Sequence, residues 1–301
     1  MVPSSAVLET RTATETSPAP QTVARATGRL SKVALLAVGV QLVVIYWPTV
    51  SWLLDRWTMS VWHNAHGLLI PPVVGYFVYQ ELRQVRHLPS EASAWGFAFL
   101  VPALLLHALD MGMHTQLLSA FSLVLILPGL FLLFLGARRT RAVAFPLAFS
   151  IFMLPIPLAL TERLHLVLRQ VATFAVTQIA PLLGIAMYSE GTTIQLADQT
   201  LLVGDGCSGF STLYAACAVA ALTAYACPQP RRRIAVLLLA APIAIAANVL
   251  RVLLLVMLVD WRGEDVLSTW IHPASGMFTF ALALPLIFWL GTPKEQREKP
   301  S

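Results

Sequence analysis

A cysteine set between glycines is the first group in this 301-residue chain that could do chemistry. Cys207 lies in "VGDGCSGFSTLYAACAV", where a small polar knot opens a long apolar run. A thiol attacks only as its thiolate, and a helix start, an imidazole or a cation nearby favours that form. Two such partners follow: Arg251 inside the apolar "NVLRVLLLV" and His272 at the head of "HPASG". Each also has a plainer reading. A cysteine in an apolar helix often only packs, which suits Cys217 and Cys227. An arginine within an apolar span marks function by default, the alternative being a structural ion pair. Asn248, three residues earlier on the same helical face, is placed to hold the guanidinium. His272 alone could be an idle interfacial histidine, while Gly276, one turn later, leaves room for close helix contact. His63 and His66 are rivals as base or metal ligand, but neither HExxH nor a CxxC pair is present, so no metal is expected. "GCSGF" does not fit the G-x-S-x-G serine elbow.

The elements that must position these residues follow from composition. The chain is 57% hydrophobic and 12% charged, with a mean hydropathy of +0.72. Soluble domains carry about a quarter charged residues, so the expected class is an all-α polytopic membrane protein of one domain. Residues 1–32, rich in Ser, Thr, Ala and Pro, read as a disordered tail. The transmembrane domain is expected over 33–291, and a basic tail over 292–301. Apolar runs predict eight spans near 33–53, 64–82, 93–110, 115–136, 142–160, 207–227, 233–259 and 270–291.

Basic residues gather in alternate loops and at both ends: Arg25, Arg29 and Lys32; Arg83 and Arg86; Arg138, Arg139 and Arg141; Arg231–Arg233; and Lys294, Arg297 and Lys299. That pattern fits membrane topology and not a nucleic-acid surface. The positive-inside rule puts both termini in the cytoplasm. Cys207 and His272 then open their spans from outside, and Arg251 lies about 12 Å below the outer end of its own. Cys227 lies about 30 Å from Cys207 by helix rise, so no disulfide joins them. The segment 161–206 is expected outside. Its first half, amphipathic at its start and more apolar later, is suited to lie along the interface or to re-enter the membrane, and two β-prone runs around "ADQ" suggest a small hairpin leading into Cys207.

"GDGCSGF", "NVLR" and "HPASG", in that order, resemble the exosortase/archaeosortase family, whose pattern is Cys-Ser-Gly, Asn-x-x-Arg and His-x-x-x-Gly. "NAHGLLIPPVVGYFVY", "FPLAFSIFMLPIP" and "LGIAMYSEGTTIQL" are similar to earlier stretches of it, so the likeness covers roughly residues 40–290. Ser211 stands where relatives often carry a basic residue, and Asp205 where many carry Glu, which leaves the subfamily open.

The resemblance implies a membrane cysteine transpeptidase without a cofactor, in the bacterial cytoplasmic (inner) membrane with its site on the periplasmic side. Its partners would be exported client proteins bearing a C-terminal sorting signal: a short motif (Pro-Glu-Pro in the PEP-CTERM class), a hydrophobic span and a basic tail. The acceptor, a lipid or polysaccharide component among the candidates, is not identified. By motif match Cys207 is the nucleophile, His272 the acid/base and Arg251 the transition-state stabiliser, with Asn248, Ser208, Gly209 and Gly276 in support. Two rivals stand: a plain membrane cysteine protease using water, and a small-anion transporter using Arg251. A transporter would need polar residues in both leaflets, and the unusual groups here gather on one side.

Overall fold

The computed structural model describes residues 20–58, 65–197, 199–263 and 267–292. It divides into two units, Met1–Trp47 and Pro48–Ser301. In the first, the described residues form the leading part of one helix, α1 (Pro20–Thr58). That helix starts inside the segment expected as a disordered tail, where Pro at a first position and a following run with Ala, Arg and Leu suit a helix. Residues 1–19, the rest of that expected tail, and 293–301 of the basic tail lie outside the described residues, as does His63. Val33, Leu36, Val40, Val43 and Val44 of α1 are exposed, as on a helix solvated by lipid.

The second unit continues with α2 (Ile70–Gln84), α3 (Phe97–Met113), α4 (Leu117–Ala142), α5 (Ala144–Phe149) and α6 (Leu158–Ile179). A three-stranded sheet, β1 (Met187–Glu190), β2 (Thr193–Leu196) and β3 (Thr200–Leu202), precedes α7 (Phe210–Ala226), α8 (Pro230–Arg262) and α9 (Ile271–Gly291). Six described helices, α1, α3, α4, α6, α8 and α9, are long and apolar enough to cross a bilayer. The chain is a mostly helical, multi-pass membrane protein.

Helix lengths depart from expectation around the fifth predicted span, 142–160. There α5 has six residues and is followed by a 3-10 turn, Ser150–Met153, and then by non-helical backbone to Pro157. Pro155 and Pro157 cause the break, since a residue before proline is pushed out of the helical region. The long helix forms afterwards, as α6, which begins at the end of that predicted span and runs mostly through the 161–206 stretch, expected to be external and either interfacial or re-entrant. Thr161, Leu168, Ala172, Val176 and the following Ala180 are buried, and Leu160, Leu164, Val167, Val171 and Phe174 on the other side are exposed. The buried stripe packs on Val252, Leu255, Val256 and Val259, toward the Arg262 end of α8.

The expected hairpin around "ADQ" is β2–β3, with Ile194 opposite Leu201. β1 adds a third antiparallel strand through a two-residue turn at Gly191, whose φ of +63° suits glycine. Ile194, Leu196, Leu201 and Val203 point into the same core as the α6 stripe. This core, shared with Cys207, ties the strand leading into the cysteine to α6 and α8.

α7 and α8 meet through Ala216, Ala220, Ala240 and Ala244, small residues that let helix backbones approach, and Ile287 of α9 packs into the same cluster. On the other side of α7, the last turns of α1 pack with α2, α4 and the 3-10 turn, and the Trp57 indole donates to the Met153 carbonyl at 2.9 Å. A run of touching rings, Phe210, Tyr214, Phe152, Phe149, Phe145 and Tyr225, links α7 to α5 along this side. Tyr225 donates to the Glu81 carboxylate, and Tyr214 donates to the carbonyls of Ile151 (3.2 Å) and Leu154 (3.3 Å).

Candidate active site

The nucleophile candidate sits in a turn. Cys207 closes a 3-10 turn, Asp205–Cys207, and its N–H donates to the Gly204 carbonyl at 2.9 Å. Gly209, at φ +77°, reverses the chain and caps α7, which begins only at Phe210. Cys207 thus precedes the helix it was expected to open, because the left-handed residue at 209 cannot continue a helix backward.

His272 is the second residue of α9, and its Nε2 lies 3.1 Å from the Cys207 sulfur. Arg251, 4% exposed, reaches both elements from α8. Its Nη1 donates to the Gly206 carbonyl at 2.8 Å, its Nη2 to the His272 carbonyl at 3.4 Å and its Nε to Ser275 Oγ at 3.1 Å. Ser275 in turn donates to the His272 carbonyl at 2.7 Å. One guanidinium therefore spans the peptide before the cysteine and the turn that carries the histidine. A planar fork of fixed donors does this readily.

Asn248 does not hold the guanidinium, as its spacing suggested. Its Nδ2 donates to the carbonyls of Cys207 (3.0 Å) and Ser208 (3.1 Å), leaving its buried Oδ1 without a hydrogen bond. The amide lies against the turn because Gly209 has no side chain: a Cβ there would come within 2.4 Å of Asn248 Cγ. Gly276 plays a milder version of this part, since a Cβ there would stand 3.1 Å from Arg251 Cζ. His66 is turned elsewhere, with its ring edge-on to Tyr214 at 5.2 Å. Cys217 is half-buried within α7, and Cys227 is buried at its far end; both are free thiols.

The transmembrane exosortase family model (Exosortase_EpsH) matches residues 57–289, which include every site residue named above. The chain belongs to the transmembrane exosortase family. No curated protein and no solved structure matches it.

Two polar residues of this exosortase site were not singled out by sequence reasoning. Ser275 stands inside the quoted "HPASG" but carries no motif role. His165 interrupts the buried stripe of α6, falling between Thr161 and Leu168 in the i, i+4, i+7 pattern. A polar residue on the packed face of an amphipathic helix was the available signal. Its Nδ1 lies 2.9 Å from Ser208 Oγ.

The exosortase turn should tolerate no side chain at 209. Gly209→Ala places a Cβ at positive φ, costing roughly 1–2 kcal/mol, and adds a clash with Asn248 of about 1–3 kcal/mol. Gly204→Ala, with nothing within 4 Å, is the control. Thermal unfolding in detergent should show a clear fall in Tm for the first and little change for the second.

Proposed function

We propose that this exosortase is a cysteine transpeptidase that cleaves exported clients near a C-terminal sorting signal and passes them to an acceptor. The observation that carries this is the 3.1 Å approach of the His272 imidazole to the Cys207 sulfur, beside a buried guanidinium. In the proposed sequence His272 Nε2 takes the thiol proton as Sγ attacks the scissile carbonyl carbon. The Sγ–C bond forms and the carbonyl becomes an oxyanion. Arg251 has five N–H donors; three are engaged with Gly206, His272 and Ser275. The remaining two, with the cationic charge, stabilise the thiolate and the oxyanion. The C–N bond breaks as His272 returns its proton to the leaving amine. An amine or hydroxyl of the acceptor, or water, then displaces the thiol from the acyl-enzyme.

We place the turn on the external face of the bacterial inner membrane, with both termini in the cytoplasm. The support is the distribution of charge: Arg231–Arg233 follow α7 at the end opposite Cys207, and Arg139 binds the carbonyls of Arg86 and Leu88 near the end of α2. A reporter fused at Gln199 should behave as external, and cytoplasmic behaviour would reverse this orientation. For the activity, the test is mass spectrometry of a client's C-terminus in cells with and without the protein. A truncated client terminus that depends on the protein is expected; an unchanged terminus in both would overturn the reading.

A further inference from the structure

We infer that His165 is a positioning residue for the nucleophile turn, holding Ser208 so that Cys207 stays aligned with His272; this rests on Cys207 being the nucleophile. Three anchors fix the turn. Two come from α8: Arg251 binds the Gly206 carbonyl, and Asn248 binds the carbonyls of Cys207 and Ser208. Both carbonyls share the single Nδ2 nitrogen of Asn248, and Arg251 lies one helical turn away on the same helix. Anchored to α8 alone, the turn can still rock about that pair of contacts, and rocking moves the sulfur relative to His272. The His165–Ser208 bond ties it to a second helix.

The chemistry of that bond is one-directional. Ser208 is 2% exposed, so water does not serve its hydroxyl. Its Oγ accepts the Phe210 N–H at 3.3 Å and lies 2.9 Å from His165 Nδ1, the acceptor we assign to its otherwise unserved proton. His165 is then the tautomer with its proton on Nε2. The same imidazole packs against the Phe210 ring, with centroids 4.6 Å apart. His165 thus grips the residues on both sides of Gly209. Removing the acceptor strands a buried hydroxyl, which is costlier than removing both partners.

The experiment uses the full-length protein in membranes, in a Cys217→Ala/Cys227→Ala background, so that Cys207 is the one thiol. The rate of Cys207 alkylation by iodoacetamide is read beside client cleavage. His165→Leu should slow alkylation and lower kcat by roughly tenfold to a hundredfold with KM little changed, the scale of one lost buried hydrogen bond. His165→Asn, whose Oδ1 falls near the position of Nδ1, should recover most of both rates. Ser208→Ala should give a milder loss, and the Ser208→Ala/His165→Leu double variant should be no worse than His165→Leu alone. Unchanged alkylation in His165→Leu, equal losses in His165→Leu and His165→Asn, or additive losses in the double variant would each overturn the inference. Alkylation reports the turn whether or not Cys207 is the nucleophile. Failure of the nucleophile reading is seen separately, as cleavage that survives Cys207→Ala.

Discussion

Cys207→Ala is expected to abolish client processing while leaving the protein in the membrane at near-normal abundance. The thiol is the atom to which the acyl group would be transferred, and no other described residue near His272 offers a comparable nucleophile. Ser208 is adjacent in sequence, but its hydroxyl is committed to His165. The substitution removes one buried sulfur from a core of aliphatic side chains, a small change in volume, so folding should survive. Cys217→Ala and Cys227→Ala should retain most activity: the first thiol lies well along α7 from the turn, and the second ends that helix, its sulfur 3.6 Å from the Gln229 carbonyl. The check is a cleavage time course for the three variants at matched abundance. Processing that persists in Cys207→Ala would remove the thiol mechanism.

Arg251→Lys should lower the cleavage rate on the order of a hundredfold, the scale of losing one oxyanion donor. Lysine keeps the charge but presents a compact ammonium on a flexible stem. It cannot reach the Gly206 carbonyl, the His272 carbonyl and Ser275 Oγ together in the geometry that the guanidinium holds. The variant would therefore loosen the relation between thiol and imidazole while weakening the hold on developing negative charge. Client binding should persist, because an interaction made chiefly in the transition state affects rate more than ground-state affinity. Client co-purification beside the cleavage assay separates these effects. Near-normal cleavage would reduce Arg251 to charge balance, and joint loss of binding and cleavage would assign it to client recognition or folding.

The site residues stood out in the sequence because arginine, histidine and a glycine-flanked cysteine are unusual in apolar runs, whatever the helix count. Their exact relations did not. Spacing placed Asn248 beside Arg251, but a side chain can bond to either neighbour, and only the absence of a Cβ at Gly209 turns it to the cysteine. The broken fifth span shows the limit of hydropathy. "AFPLAFSIFMLPIP" is apolar enough for a span, yet two prolines end it after α5 and the 3-10 turn. The amphipathic start of α6 was legible, but its length was not, since its charged residues Glu162, Arg163 and Arg169 dilute the apolar signal. β2 and β3 were visible as β-prone runs. β1, ending in Ser-Glu before Gly191, gains its strand character from pairing with β2 and not from its own composition.

The brevity of α5 bears on the bilayer itself. Along the ringed side of the molecule, one polar anchor is the Tyr225–Glu81 contact and the other is the Tyr214 hydroxyl on the Ile151 and Leu154 carbonyls. The two tyrosines are eleven residues apart on one helix, or about 16 Å. A hydrocarbon core is about 30 Å thick. α2 and α7, which flank α5, are also short, with 15 and 17 residues. Where lipid borders α7, its 17 residues, about 25 Å, fall short of that core, a mismatch that thinning the membrane or tilting the helices would relieve at a cost of fractions of a kcal/mol per Å. In the proposed orientation, thinning would lower the water surface toward the head of α7, where the cysteine turn lies. On the proposed function, a peptide bond at the edge of a client's own hydrophobic segment would then meet both the thiol and the water without leaving the membrane plane.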